Sequence, residues 1–407
     1  MATPATGSLV HTRRGVLTAA ASTLLLTACG RGTADRDAGA PTATPGVEDL
    51  VVGVSLELTG RGAALGVPQE RALRITADAL NQDGVPVGNQ RRRIRLEVRD
   101  NGSNPRVAAR QATELATRDG AHALIGATLA ETSMGMIGVA QRLRVPYVSL
   151  AFGDGIVRPL ADRTFVYKVT PDSRPVASRI AALLAERGHR RVALLAGSGL
   201  HGDAGVEAVG PAVEAVGLRL VHTARLPVDS IAMVPAAQEA VRRTPDAVVV
   251  WANAPDSGAA ARALRKAGYR GPLYLDAAAV AEDTLNERNA PAVEGAYVVH
   301  PLTLGGDTLT NTTSGALARL DLTFQYLNRY GTYRGFAPYA SDALTLLVEA
   351  ARAASSLDRG RIRAYLRTEV IDGMAGSYAF EPSRHSGMNG GALGVYTVSR
   401  GSWTRYS

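Results

Sequence analysis

"VVGVSLELTGRGAALG", residues 51–66, decides how this 407-residue chain is read. An apolar run ends at three glycines, Gly60, Gly62 and Gly66, and an amphipathic segment follows. Strand, glycine turn and helix make the opening of a βαβ unit. A dinucleotide cradle needs G-x-G-x-x-G here and an acidic residue about 20 positions on, at the end of the next strand. The spacing is instead G-x-G-x-x-x-G, and the next strand ends at Asp100, beyond the insertion "NQDGVPVGNQRRR". The fingerprint is out of register. The glycines then serve either as a plain turn or as a place where the backbone approaches a small solute.

The alternation continues outward from that stretch. Strands are expected at 51–57, 93–99, 122–126 and 146–150, with helices near 68–81, 105–118 and 131–143. Asn104 as N-cap, Pro105 at the first helical position and Gly120 past the end mark the second helix. A second block follows, with strands at 191–196, 218–224, 246–252 and 272–276 and helices near 175–187, 203–216, 233–243 and 256–267. Its "DAVVVWA", residues 246–252, is the near-continuous apolar run of a strand buried on both faces. Residues 293–407 break the rhythm with a strand in "VEGAYVVHP", helices near 314–330, 337–355 and 359–368, and a β-like end. The expected fold class is α/β: two doubly wound parallel-sheet lobes, with the last segment returning to complete each.

The N-terminus carries "HTRRGVLTAAASTLLLTACG", residues 11–30. Arg13 and Arg14 precede an apolar stretch, Val16 to Ala28, that is shorter than the ~20 residues of a membrane-spanning helix. Residues 1–28 therefore read as an export signal. "Leu26-Thr27-Ala28-Cys29" resembles a bacterial lipobox, which implies cleavage before Cys29 and acylation of its thiol. The arginine pair also resembles a twin-arginine signal, and both that route and general secretion stay open. Cys29 is the only cysteine, so no intramolecular disulfide framework or multi-cysteine metal site is available. Residues 29–48 make a lipidated cysteine and a Gly/Ala/Thr/Pro tether with a reach of roughly 25 Å. The product is expected outside the cytoplasm, anchored to the cell membrane.

The formal charge is +8, and only Lys168 and Lys266 are lysine among 45 basic residues. Apart from "RRRIR", residues 91–95, the arginines are scattered, without a basic stripe or interleaved aromatics. Nucleic acid is thereby excluded as the expected partner. Catalysis is not expected either. "SGLHGD" brings Ser198, His201 and Asp203 together on one turn, whereas a triad draws on separate segments, and neither G-x-S-x-G nor S-x-x-K occurs. His122, His189, His222, His300 and His385 stand apart, so the spacing offers no metal site, and no cofactor is expected.

A resemblance adds to this. "SLELTGRGAALG", "ALNQDGVPVGNQRRRIRLEVRDNGSNPRVAARQATELATRDGAHALIGA", "VPYVSLA", "VYKVTPDS", "RVALLAGSGLHGDAG", "VVVWANAPDSGAAARALRKAGYRGPLY" and "VEGAYVV" follow in that order over about residues 50–400. The series resembles the type I periplasmic binding proteins of the branched-chain amino acid (Leu/Ile/Val) group, in lipoprotein form. The resemblance implies three crossings between lobes, near 168–172, 298–302 and 371–376. An N-terminal lobe of 49–169 plus 300–371 and a C-terminal lobe of 170–299 plus 372–407 result. It also implies a ligand cleft at the carboxyl ends of the strands, closed by a hinge, in a monomer that delivers a small molecule to an ABC importer permease.

The amino-acid binders of that group place small hydroxyl residues after the third and fourth strands and an acid in the second lobe. Here those positions hold Leu129, Ala130 and Glu131, then Ala151, Phe152 and Gly153, while His201, Asn253 or Ala254 stand for expected tyrosines and the acid falls near Asp276 or Ala277. The ligand set implied is Thr59, Gly60, Thr128, Ala130, Phe152, Gly153, Ser198, His201, Asn253 and Asp276, with Phe152 and Trp251 readable as wall or as core. Losing hydroxyls that satisfy a buried charged ligand is costly, which speaks against a zwitterionic α-amino acid held in the usual way. An amide, a short carboxylate or an aromatic acid suits the set better. Two other classes stay open: a sensing or cargo-free lipoprotein that acts through a protein partner, and an exported nucleotide-dependent oxidoreductase.

Overall fold

The computed structural model describes residues 46–227, 232–304, 313–333, 335–368 and 370–406. The export segment, Cys29 and most of the tether lie outside the described residues. None of the described helices is long and apolar enough to cross a membrane.

The first lobe is built on β1 (Leu50–Leu56), α1 (Ala63–Asp83), the hairpin β2 (Val85–Val87) and β3 (Gln90–Arg92), β4 (Ile94–Asp100), α2 (Pro105–Thr117), β5 (Ala123–Gly126), α3 (Ala130–Leu143), β6 (Tyr147–Ser149) and β7 (Val166–Lys168). Its sheet has the order β4-β1-β5-β6-β7 and is parallel throughout. Leu50, Val52, Val54 and Leu56 of β1 share one core with Leu65 and Leu73 of α1, while Val51 joins a second core with Leu115 of α2 and Met136 of α3. Both faces are thus covered, which is why β1 reads as an unbroken apolar run. Gly53 keeps the α2 side open, since a Cβ there would sit 2.9 Å from that of Leu115.

The second lobe follows with α4 (Ser173–Glu186), β8 (Arg191–Ala196), α5 (Gly199–Ala215), β9 (Arg219–Arg225), α6 (Met233–Arg242), β10 (Ala247–Trp251), α7 (Asp256–Lys266), β11 (Leu273–Leu275), the short helices α8 (Glu282–Leu285) and α9 (Ala290–Val293), and β12 (Tyr297–Pro301). The chain then runs through α10 (Ser314–Tyr330), α11 (Ala337–Ala354), α12 (Arg359–Leu366), β13 (Val370–Asp372), β14 (Ser377–Ala379), β15 (Leu393–Ser399) and β16 (Ser402–Arg405). Helices α10 and α11 pack on α1, whereas β15 and β16 extend the second sheet, ordered β16-β15-β12-β11-β10-β8-β9. The tail therefore returns to both lobes. Its two strands pair antiparallel, so only the β12-to-β9 part of this sheet is parallel.

Two expectations are adjusted. Helix α1 starts at Ala63 rather than near 68, with Gly62 as N-cap and Pro68 inside the helix. The segment read as an insertion, 81–93, contains the hairpin β2–β3, and Asn81 before it fixes the next strand by exchanging hydrogen bonds with the Ile94 backbone at 2.7 and 2.9 Å.

Buried side chains tie the connections between lobes. Lys168, at the end of β7, is fully buried, with Nζ 3.0 Å from Asp172 and 3.6 Å from Asp154. Burial pushes the Asp172 carboxyl up, but the Lys168 ammonium and the Ser386 hydroxyl outweigh it and hold it below its ordinary range. Asp342 of α11 accepts from the backbone N–H groups of Met374 (2.6 Å) and Ala375 (2.8 Å) and from the Tyr378 hydroxyl (2.8 Å).

Candidate functional site

In each parallel sheet the strand order reverses next to the first strand: β1 lies between β4 and β5, and β8 between β9 and β10. Loops leaving the carboxyl ends of such strands in opposite directions open a crevice, the usual ligand position of doubly wound sheets. The loops concerned are those after β1, β5 and β6 in one lobe and after β8, β10 and β11 in the other, and they face one another.

Phe152, in the loop after β6, is the centre of contact. Its ring lies 5.7 Å from His201 of α5, 5.7 Å from Phe336 and 5.9 Å from Tyr339 of α11. His201 in turn lies 5.7 Å from Trp251 at the end of β10. Its Nε2 is 2.9 Å from Asp276 Oδ2, and Asp276 also accepts from the Ala252 and Ala278 N–H groups, both at 2.9 Å. Gly153 runs close beneath α5: a Cβ there would be 3.6 Å from the His201 backbone, and its φ of +117° favours glycine. Of the residues expected at the site, Phe152, Gly153, His201 and Asp276 are thus brought together. Asn253 is half-buried in the loop after β10, with Oδ1 buried and without a partner. His201 Nδ1 and Trp251 Nε1 are likewise buried and unpartnered.

The other expected residues turn elsewhere. Thr59 is exposed and spends its N–H and hydroxyl on Asp100, at 3.1 and 2.7 Å. Gly60, with φ +80°, makes the turn beside Ser103, whose Oγ would lie 2.7 Å from a Cβ. Thr128 donates its hydroxyl to Gln69 at 2.5 Å, back into the first lobe. Ala130 is the buried first residue of α3, and Ser198 is an exposed N-cap of α5 that makes no side-chain cap bond. Ser198, His201 and Asp203 part company, since Asp203 pairs with Arg225 and His201 with Asp276.

The sequence reading missed Glu57. This carboxylate, fully buried at the end of the first strand, accepts from the N–H of Thr128 (2.8 Å) and of Leu129 (3.2 Å) and from the Thr132 hydroxyl. Burial raises its pKa, and those hydrogen bonds oppose the rise. It sits where the N-terminus of α3 favours a negative charge. Gly62 and Gly66 exist to make room for it: a Cβ on Gly66 would meet the Glu57 carbonyl oxygen at 2.2 Å, and one on Gly62 its Cβ at 2.8 Å. The glycines of the opening loop therefore admit the chain's own carboxylate beneath the helix. A lone glutamate in "SLEL", inside a run otherwise fit for burial, was the available signal.

Further out, Arg61 and Asp256 form an ion pair between the lobes at 2.8 Å. Burial raises the Asp256 pKa and Arg61 opposes it. A concavity of about 740 Å³ lies off the aromatic cluster, bordered by Val280, Glu282, Asp283, Tyr333 and Trp403 among others. A second, of about 390 Å³, shares Glu282 and Thr332 with it and reaches Ala63 and Arg71 on α1. Among the described residues no group of acidic, histidine or cysteine side chains could hold a metal ion.

Two sheets whose parallel strands meet at their carboxyl ends around such a cluster define a two-lobed α/β fold of the binding-protein kind. The family model described as periplasmic binding protein matches residues 49–401, and the chain belongs to that family. An extracellular ligand-binding receptor from Rhodopseudomonas palustris is 24% identical, with a TM-score of 0.79 over 88% of this chain and 100% of that one. A leucine-binding protein from Thermotoga maritima is 20% identical, with a TM-score of 0.73 over 88% and 98%. A solute-binding protein of an ABC transporter from R. palustris, solved with benzoate, is 18% identical, with a TM-score of 0.75 over 88% and 96%. These structures share the fold.

Proposed function

We propose that the chain is the solute-binding component of an ABC importer. It captures a small amide, carboxylate or amino-acid-like solute between lobes 49–169 plus 300–371 and 170–299 plus 372–407, and hands it to the permease as a monomer. The signal in residues 1–28 directs export, and lipid on Cys29 holds the body to the outer face of the cytoplasmic membrane through the tether. The observation that carries the reading is the composition of one buried cluster: Phe152, Phe336 and Tyr339 come from one lobe and His201, Trp251 and Asp276 from the other. Ligand bound there couples to lobe closure directly. The structural neighbours that bind leucine and benzoate support a small organic solute.

The test is a thermal-shift panel of amides, carboxylates, aliphatic amino acids, sugars and nucleotides. A ligand at about 1,000 times its Kd adds about 4 kcal/mol, which no scan would miss. Nucleotides as the sole stabilising group would replace transport with the oxidoreductase reading. Membrane fractionation of Cys29→Ser tests the anchor, and release into the soluble fraction is expected.

One observation favours a second reading. Phe152 is 4% exposed and packed on three rings, so the chain itself fills much of the crevice's centre. A cargo-free protein that works through a protein partner would look the same, and silence across the panel would establish it.

A further inference from the structure

We infer that the arginine-rich end of the first lobe, where the tether joins, docks on anionic phospholipid headgroups and lays the anchored body against the membrane. The inference deepens the anchored reading above and rests on it; the occupant it names is the bilayer surface.

The strands of the first lobe begin at this end, and segments far apart in sequence converge there. The "RRRIR" stretch ends the β2–β3 hairpin and enters β4. The Leu50 N–H donates to the Arg93 carbonyl at 2.8 Å, and Arg92 donates to the Glu48 carbonyl at 2.7 Å, so the hairpin sits at the root of the tether. Helix α12 comes in beside it. Arg359 donates to the carbonyls of Ala116 and Ala121 at 2.6 and 2.7 Å, next to His122, whose Nε2 is 3.4 Å from the Glu48 carboxylate. Arg363 and Arg144 continue the surface, their guanidinium groups 5.3 and 5.1 Å from the centre of the Phe165 ring. Arginines that are scattered along the chain are thus gathered at one end by the fold.

Their charge is left uncompensated. Arg91 and Arg359 donate only to backbone carbonyls, and Arg93, Arg144, Arg361 and Arg363 meet no carboxylate among the described residues. Arg91, Arg93, Arg144 and Arg361 are exposed. Carboxylates nearby are engaged: Glu48 by Arg92 and His122, Asp119 by Arg99 and Arg118, and Asp358 as the cap of α12. Tyr365, one turn from Arg361 on α12 and 38% exposed, adds a ring suited to the headgroup layer. Each basic residue held near an anionic membrane strengthens binding about fivefold. Because the tether joins at this end, an anchor on Cys29 keeps these arginines nearer to the lipid than the crevice at the far ends of the strands.

The experiment sediments the chain from residue 29 onward, carrying Cys29→Ser, with vesicles of phosphatidylcholine and with vesicles in which about a third of the lipid is phosphatidylglycerol. Without a lipid of its own, the chain is expected to bind only the anionic vesicles and to come off in high salt. Arg93→Glu/Arg361→Glu changes two exposed side chains that make no hydrogen bond or ion pair among the described residues. That variant should melt like the parent and bind at least tenfold more weakly. Arg190→Glu/Arg219→Glu makes the same change of charge at exposed positions of the second lobe and should bind as the parent does. Equal binding to neutral vesicles, undiminished binding by Arg93→Glu/Arg361→Glu, or equal loss in the two double variants would overturn the inference. Absence of binding would overturn it as well, in favour of an acidic protein as the partner. Lipid anchoring is judged separately by fractionation of the native chain: a failed vesicle test leaves it standing, whereas a native chain found in the soluble fraction removes the anchored reading itself.

Discussion

His201 and Asp276, 75 positions apart in the chain, meet at 2.9 Å and lock the first turn of α5 onto the loop after β11. The pair is buried, and the carboxylate is also the acceptor for two backbone N–H groups. Asp276→Ala strands three donors at once and should cost about 3 kcal/mol of stability. His201→Ala leaves the two backbone bonds intact and should cost about 1 kcal/mol in the same denaturant titration. Equal losses would show that the carboxylate does not organise the loop.

Gly66 faces the Glu57 carbonyl at a distance that no methyl group tolerates, 2.2 Å from an ideal Cβ. Gly66→Ala should therefore lower stability by about 3 kcal/mol through overpacking. Gly120→Ala, which has open space but a φ of +70°, should cost only about 1 kcal/mol. Denaturation midpoints of the two variants separate crowding from backbone strain.

Asp342 is buried among the groups that hold residues 374 and 375, and burial pushes its pKa up from 3.8 to about 6. The folded state then binds a proton that the unfolded chain has lost. Its contribution to stability rises as pH falls from about 6 towards 4, by up to about 3 kcal/mol, and is absent above pH 6. In Asp342→Asn that segment of the stability–pH curve should be flat. A slope that survives the substitution belongs to other groups.

Arg61 and Asp256 join the lobes through a pair whose arginine is 40% exposed. Such a pair is worth less than about 1 kcal/mol, so Arg61→Ala should leave the melting temperature unchanged. Because the contact exists only when the lobes are together, ligand release should accelerate by up to about fivefold, and less so at high salt. Stopped-flow release at two salt concentrations tests this.

Much of the architecture was legible because apolar runs and caps act locally. Asn104 does cap α2, accepting from Arg106 and Val107, and β10 is buried along its whole length, as "AVVVW" implied. The ends of α1 and the β2–β3 hairpin were less legible, since Pro68 looked like a helix start and the hairpin has no apolar period. At the site, Phe152, Gly153, His201 and Asp276 came from matching the order of motifs. Thr59 and Thr128 were named for their hydroxyls, yet Asp100 and Gln69 consume those hydroxyls. Phe336 and Tyr339 were not foreseen: residues 300–371 were expected to return to the first lobe, but nothing local says which of their side chains reach Phe152.

By itself the sequence determined two blocks of alternating strand and helix, an export-like N-terminus and a chain with neither a disulfide framework nor a nucleotide fingerprint. These follow from periodicity, composition and spacing, which neighbouring residues fix. Only the tertiary structure decided that Glu57 lies beneath α3, that Asp276 orients His201, and that rings from both lobes surround Phe152. Those relations join residues far apart in the chain, and burial sets their energies once the fold has removed them from water.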